Sequence, residues 1–222
     1  IMRKRVSKQR GAGLSCGLDL DQLEILLVDV IPMYSSRDDS FLQRKCKTYS
    51  GLRYRFRDQT VKLDELNEIS TILDTFVDSS KTIRIPAMII ANVHSFIGNI
   101  RMEQRAYRAA IQSFLKAFWI YTSSNTKTTP AALLNMTSHN LGLAYGRSGD
   151  YGKAVELLQK AIRGYAQDKQ LKEDSEVLWK AKEDLRDFQD RLQFSSVFRS
   201  QRLTLASNEK CERPRLNRLN TT

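Results

Sequence analysis

The sequence predicts an all-α fold made of stacked antiparallel helix hairpins, and two observations carry this prediction. Apolar residues recur every three or four positions in segments of helical length, and short polar or proline-containing breaks separate these segments. One spaced set of small and large residues also occurs twice, in the same register. Because a single helix hairpin cannot bury its apolar surface alone, the repeated hairpins are expected to stack as a short solenoid.

The first 60 residues predict one helix and little else. Residues 1–18 are basic and contain three glycines, which favours a disordered arm. In the N-terminal region 19–60, apolar residues recur at helical spacing from 19 to 30, and Pro32 is expected to close that helix because proline lacks a backbone N–H. Residues 34–60 show no periodicity, so no structure is assigned to them.

Residues 61–193 form the predicted helical domain. Its first helix covers 61–80, where apolar residues lie on one face. Pro86 and Pro130 each fit the first turn of a later helix, and Gly149 with Asp150 marks a tight turn. The later helices are expected at about 86–100, 106–121, 130–147, 153–165 and 174–192, with a Ser/Thr/Asn linker at 122–129.

The internal repeat is the most informative feature of the sequence. Gly98 and Gly142 are 44 residues apart (142 − 98), and Tyr107 and Tyr151 keep the same offset (151 − 107). The residues that share this register are Gly98, Tyr107, Ala110, Phe114 and Ala117 in the first copy, and Leu141, Gly142, Tyr145, Gly149, Tyr151, Ala154, Leu158 and Ala161 in the second.

The repeated residue types indicate how each hairpin packs. Two antiparallel helices joined by a tight turn approach closely, so small residues are expected where they cross. Gly98 and Gly142 on the first helices should therefore face the second helices, with Phe114 and Leu158 filling the space around them.

This pattern resembles the tetratricopeptide-repeat (TPR) family, whose helix–turn–helix units are about 34 residues long. The second copy matches most fully, whereas the first has Arg101 in place of an aromatic residue and Arg105 in place of the turn glycine. The longer offset is similar in style to the repeats of kinesin light chains. The resemblance implies repeats at about 91–124 and 135–168, with helices 61–80 and 174–192 as caps.

The resemblance also implies a function. In TPR proteins the first helix of each repeat lines a concave groove, so we expect an interaction scaffold or adaptor that binds a peptide or helix of another protein. By register, the groove candidates are Asn92, Ser95, Asn99, Met102, Glu103, Met136, His139, Asn140, Leu143, Gly146 and Arg147.

Catalysis, metal binding and a cofactor are not expected. His94 and His139 have no second ligand at helical spacing, and the three cysteines are too far apart for a metal site. Glycine-rich phosphate loops and nucleophile elbows do not occur in the sequence. Trp119 and Trp179 are interpreted as helix-packing residues, with a partly exposed anchor for a partner as the alternative.

The charge distribution bears on partners and location. Of the net charge of +11, five units lie in residues 1–10 and four in residues 194–222, a segment expected to be a basic disordered tail. Because these charges lie outside the predicted domain, a nucleic-acid fold is not expected, although a basic-tailed binder of nucleic acid or anionic surfaces is the alternative. No apolar run could span a membrane or serve as a signal peptide. We expect a cytoplasmic or nuclear protein, with organelle targeting by the basic arm left open.

Overall fold

The computed structural model describes residues 20–34, 45, 47–49, 63–81, 83–123, 130–168 and 175–211, with side chains to residue 198 in the last range. These residues form seven helices and no strand, so the all-α prediction is confirmed. The helices are α1 (20–34), α2 (Leu63–Ser79), α3 (Ala87–Glu103), α4 (Tyr107–Ser123), α5 (Ala131–Ser148), α6 (Tyr151–Gln167) and α7 (Glu176–Cys211). The predicted arm 1–18, most of the unassigned region 34–60 and residues 124–129 of the predicted linker lie outside the described residues, whereas residues 122 and 123 of that linker belong to α4.

Helix α1 continues through the proline that was expected to end it. Its α-helical start, Leu20–Ile25, widens into a π-helical turn at Leu26–Val30 and returns to α-helix at Ile31–Tyr34. The N–H of Ile31 bonds to the carbonyl of Leu26, five residues back. The wider turn shifts the hydrogen-bond register just before Pro32, so the missing N–H does not interrupt a regular α-helical ladder. The prediction that Pro32 closes the helix was wrong for this reason.

The first core joins α1 to α2 and α3. Leu27 and Ile31 of α1 are fully buried in one apolar cluster with Ile69 and Leu73 of α2 and Ile97 of α3. Helix α1 therefore shares its core with the first two helices of the predicted domain 61–193. This contact depends on residues far apart in sequence, which periodicity cannot pair.

The two repeats form adjacent antiparallel hairpins, α3–α4 and α5–α6, and α5 packs along α4. Each hairpin turn has the same two backbone hydrogen bonds, from Arg105 to Met102 and from Ala106 to Arg101 in the first turn. The second turn repeats them 44 residues later, where Gly149 takes a φ of 94°. This arrangement is the Schellman end of a helix, in which the residue after the helix adopts a left-handed conformation.

The glycines of the first helices lie where the second helices cross them. A Cβ atom on Gly98 would come within 2.5 Å of the Phe114 ring, and one on Gly142 within 3.0 Å of Leu158. Both large side chains are fully buried. The close approach of the two helices thus depends on the absence of a side chain at these two glycines.

Helix α7 packs along α6 and touches α5, in the same way that α5 packs along α4 and touches α3. It also runs beyond its predicted end at 192 to Cys211, so residues 194–211 of the predicted disordered tail are helical. Phe194 and Phe198, one turn apart, place their ring centroids 4.6 Å from each other. Such a pair stabilises the helix locally beyond Phe188, the last buried residue among those whose side chains are described.

Candidate functional site

The eleven groove candidates divide into two groups by exposure. Met136 and Arg147 are exposed, and Asn92, Ser95 and Glu103 are half-buried. The other six are buried in the described structure: Asn99, Met102, His139, Asn140, Leu143 and Gly146. Only the first group is available to a partner without a rearrangement of the helices.

Two buried asparagines join the first helices of the two repeats. The Nδ2 of Asn140 on α5 donates a hydrogen bond of 3.0 Å to the Oδ1 of Asn99 on α3. Both amides are shielded from water, and a buried amide that lost this bond would remain unsatisfied. The pair therefore holds α3 against α5 and makes the faces of the two repeats continuous.

The half-buried Asn92 has a structural contact as well. Its Oδ1 accepts a hydrogen bond of 2.5 Å from the hydroxyl of Tyr121 on α4. Burial raises the pKa of Tyr121, which keeps this phenol a hydrogen-bond donor at neutral pH. Asn92 thus links the two helices of the first hairpin at the edge of the predicted groove.

Helix α7 covers part of the predicted groove on the second repeat. The Nε2 of His139 lies 3.2 Å from the Oδ2 of Asp184 on α7, and the imidazole meets the edge of Tyr165 at a centroid distance of 6.1 Å. Phe188, also on α7, lies over Gly146, where a Cβ atom would come within 2.2 Å of the ring. Two of the groove candidates on α5 therefore contact the protein's own last helix.

His94 is buried rather than set in a ligand-binding cluster. This histidine is only 8% exposed. Burial lowers the pKa of His94 from 6.5 to about 4, and the nearby Lys116 adds to the lowering, whereas Asp74 acts in the opposite direction. The imidazole is therefore neutral in the folded protein at neutral pH. The described residues contain no group of three or more His, Cys, Asp or Glu side chains that could hold a metal ion.

Lowering the pH from 7 to 5 is expected to reduce the free energy of unfolding by about 2 kcal/mol through His94. The unfolded chain takes up a proton on this imidazole near pH 6.5, whereas the folded protein resists protonation down to about pH 4. The unfolded state thus binds more protons between these values, and stability falls as the pH falls. Urea denaturation at pH 7 and pH 5 measures the change. His94→Asn should lose most of the pH dependence, and an undiminished dependence would assign it to other groups.

Three arginines line a cleft that the sequence interpretation identified only in part. Arg105, Arg108 and Arg147 lie around a shallow cleft of about 500 Å³, wide open to solvent, between the α3–α4 turn and the end of α5. Only Arg147 was a groove candidate. The signal that could have revealed the cleft was Arg105 itself, an arginine at the position where the second copy has its turn glycine.

The two tryptophans are exposed rather than packed. Trp119 on α4 is 68% exposed and Trp179 on α7 is 61% exposed. Trp119 borders a second, smaller cleft of about 360 Å³ that also contains His94, Leu115 and Lys116. The interpretation of these tryptophans as helix-packing residues was wrong, and the alternative, a partly exposed side chain, agrees with the structure. None of the described helices is both long and apolar enough to cross a membrane.

Comparison with known proteins agrees with this architecture. The family model of the tetratricopeptide repeat matches residues 137–163, which run from the middle of α5 through most of α6. The fold is similar to the crystal structure of nearly identical TPR-like repeats from a protein of Podosopora anserina described as a kinesin light chain, with a TM-score of 0.50 and 16% sequence identity. The alignment covers 88% of this chain and 90% of that one. No curated protein sequence matches the chain.

The match and the fold confirm the resemblance drawn from the repeat pattern. The family model falls on the second copy, which carried that pattern most fully, and the similar structure has repeats of the kind to which the 44-residue offset pointed. The chain is therefore an all-α helical-repeat protein that contains a tetratricopeptide repeat within a TPR-like solenoid.

Proposed function

We propose that this protein is a non-catalytic scaffold or adaptor that binds a peptide or helix of a partner protein along the first helices of its repeats. Tetratricopeptide repeats are in general protein-interaction modules, and repeat scaffolds present extended concave surfaces for this purpose. The observation that carries the proposal is the hydrogen bond between Asn99 and Asn140, which joins α3 to α5. Because these helices are adjacent, the exposed groove candidates of both repeats belong to one surface.

The accessible part of the proposed surface is smaller than the sequence pattern implied. It consists of the exposed Met136 and Arg147 on α5 and the half-buried Asn92, Ser95 and Glu103 on α3. Met136 is 44% exposed and offers an unbranched, adaptable side chain, which suits the binding of an apolar group of a partner. The polar residues around it would fix the orientation of the bound segment.

Two further expectations stay with this proposal. A cytoplasmic or nuclear location is part of this proposal, and a fractionation experiment would decide between the two compartments. The alternative of a basic-tailed nucleic-acid or anionic-surface binder depends on residues 1–10 and 194–222. Deletion of both segments should abolish such binding, and a higher salt concentration should weaken it.

Asn92→Asp combined with Met136→Glu is expected to reduce partner capture from cell lysate by about tenfold or more, the effect of losing a central contact residue. The carboxylate introduced at position 92 would still accept the hydrogen bond from Tyr121, so the fold should persist, while both changes place negative charge on the proposed surface. The bait is the full chain, because α1 shares a core with α2 and α3.

The matched control is Gln112→Glu with Gln159→Glu, which adds the same charge at exposed positions on the second helices. Partners that bind the first helices should be lost from the groove variant and retained by the control. Equal capture by both variants and the unaltered protein would exclude the first helices as the binding surface.

A further inference from the structure

The cleft lined by Arg105, Arg108 and Arg147, here called the arginine cleft, contains no acidic side chain. All three arginines are exposed, and none forms an ion pair with another of the described residues. Three exposed arginines around one depression give this part of the surface a positive charge, which attracts anions. The charge of the cleft therefore favours an anionic ligand from outside the chain.

The equivalent turn of the second repeat contains an acidic side chain at its helix start. The two turns of the same protein can therefore be compared with and without a carboxylate. Forty-four residues after Ala106 lies Asp150, whose Oδ1 accepts a hydrogen bond of 3.2 Å from the backbone N–H of Lys153. The other carboxylate oxygen of Asp150 pairs with the Lys153 ammonium at 3.0 Å. At the first turn an alanine takes the place of this aspartate, so no side chain there can accept from the first N–H groups of α4.

Two of the neighbouring positions gain a positive charge in the first turn, whereas Lys153 of the second turn is matched by the uncharged Ala109. Arg105 stands where the second turn has Gly149, and Arg108 stands where it has Gly152. At these four positions the second turn has an aspartate, a lysine and two glycines, and the first turn has two alanines and two arginines. Neither hairpin turn needs arginine for its backbone hydrogen bonds, because both turns form the same two bonds.

Arg105 also adopts a backbone conformation that favours glycine. Its φ is 59°, in the left-handed region, and it is the only described non-glycine residue with a positive φ. A side chain in this region is strained relative to glycine. The fold would accept glycine here more readily, so the arginine is better explained by what its guanidinium binds than by the turn.

We propose that the arginine cleft binds the phosphate group of a phosphorylated serine or threonine in a segment of the partner protein. A phosphate monoester carries a charge of about −1.5 to −2 and three acceptor oxygens, which suits several guanidinium groups better than a carboxylate with one charge. The cleft is also lined by Tyr107, Arg108 and Ala109 of the first turn of α4, whose backbone N–H groups have no acceptor within the helix.

The position of the cleft connects it to the proposed groove. Arg147 lines the cleft and is also an exposed groove candidate at the end of α5. A partner segment that follows the first helices would therefore pass over the cleft at that end. The inference rests on the proposed function in this respect, because it names a chemical group of the same partner.

The experiment measures binding of the full chain to a fluorescent twelve-residue peptide with one phosphoserine among glycines and alanines. Two matched peptides carry serine or aspartate at that position. We expect the unaltered protein to bind the phosphoserine peptide at least tenfold more tightly than either matched peptide. Binding should weaken as sodium chloride is raised, since the contact is between charges in an open cleft.

Two variants test the cleft while preserving the fold. Arg105→Gly with Arg108→Ala removes two charges and relieves the left-handed strain, and should weaken binding of the phosphoserine peptide at least tenfold. Ala106→Asp copies the cap of the second repeat, so its carboxylate should compete for the cleft and weaken binding similarly. Thermal denaturation of both variants should show an unchanged or higher midpoint, which separates loss of binding from loss of structure.

The control variant Arg163→Ala with Arg186→Ala removes two exposed positive charges elsewhere and should leave binding within twofold of the unaltered protein. Equal loss in the control would assign binding to the overall positive charge and overturn the proposal. Equal binding of the aspartate peptide, or no measurable binding of the phosphoserine peptide, would also overturn it. The groove variant Asn92→Asp/Met136→Glu lies outside the cleft. A negative result for partner capture along the groove can therefore be distinguished from a negative result for phosphoserine binding in the cleft.

Discussion

Phe114→Ala is expected to lower the free energy of unfolding by about 3–5 kcal/mol, the cost of deleting a large buried aromatic side chain and leaving a cavity. The ring of Phe114 is fully buried in the core that joins the two repeats. It also lies directly over Gly98, at the point where α3 and α4 approach most closely. Since small domains are stable by only about 5–15 kcal/mol, this loss would unfold a measurable fraction of the molecules.

Chemical denaturation followed by circular dichroism measures this change, because nearly all the described structure is helical. Trp119→Ala is the matched control on the same helix, since it also replaces an aromatic residue with alanine but at a position that is 68% exposed. Its effect should stay within about 0.5 kcal/mol, as for most surface substitutions. Similar losses for the two variants would mean that Phe114 does not hold the hairpin together.

Gly146→Leu is expected to lower the free energy of unfolding by about 2–3 kcal/mol and to detach α7 from α5. Even a Cβ atom at Gly146 would lie 2.2–2.5 Å from the ring of Phe188. That ring has little freedom to move, because it is 5% exposed and stacks on Tyr151 with centroids 6.2 Å apart. The added side chain must therefore displace α7 from the second repeat.

Hydrogen exchange measured by mass spectrometry should show faster exchange in residues 176–192 of the Gly146→Leu variant, while the α3–α4 hairpin keeps its protection. Gly152→Leu is the control, since it makes the same change in a helix where a Cβ atom would meet only Asp150, at 3.9 Å. Leucine also favours a helix over glycine by up to about 1 kcal/mol, so the control should be neutral or stabilising. Unchanged exchange in α7 would show that Phe188 does not anchor it.

Displacement of α7 would also bear on the proposed function. The same helix covers His139 through Asp184, so its detachment would expose a groove candidate that is buried in the described structure. The Gly146→Leu variant therefore tests both how firmly α7 is held and whether α7 limits partner binding. A gain of partner capture by this variant would indicate that α7 competes with partners for the face of the second repeat.

The sequence alone determined the helical repeat and its register. Gly98 and Gly142 could be placed at helix crossings because close approach of two helices requires small residues, and the 44-residue offset aligned the two copies without any structure. The match of the tetratricopeptide-repeat model to residues 137–163 falls on the copy that showed the pattern most fully. Such local patterns can be recognised in the sequence because each one arises from contacts within a single hairpin.

The tertiary structure decided which surfaces remain open, because burial depends on helices that are distant in sequence. No periodicity shows that Asp184 and Phe188 cover α5, or that α1 shares a core with α2 and α3. The arginine cleft likewise exists only because the α3–α4 turn lies beside the end of α5, which brings Arg105 and Arg147 together across 42 residues (147 − 105) of chain. A repeat pattern fixes the hairpin, whereas the docking of hairpins and flanking helices determines what a partner can reach.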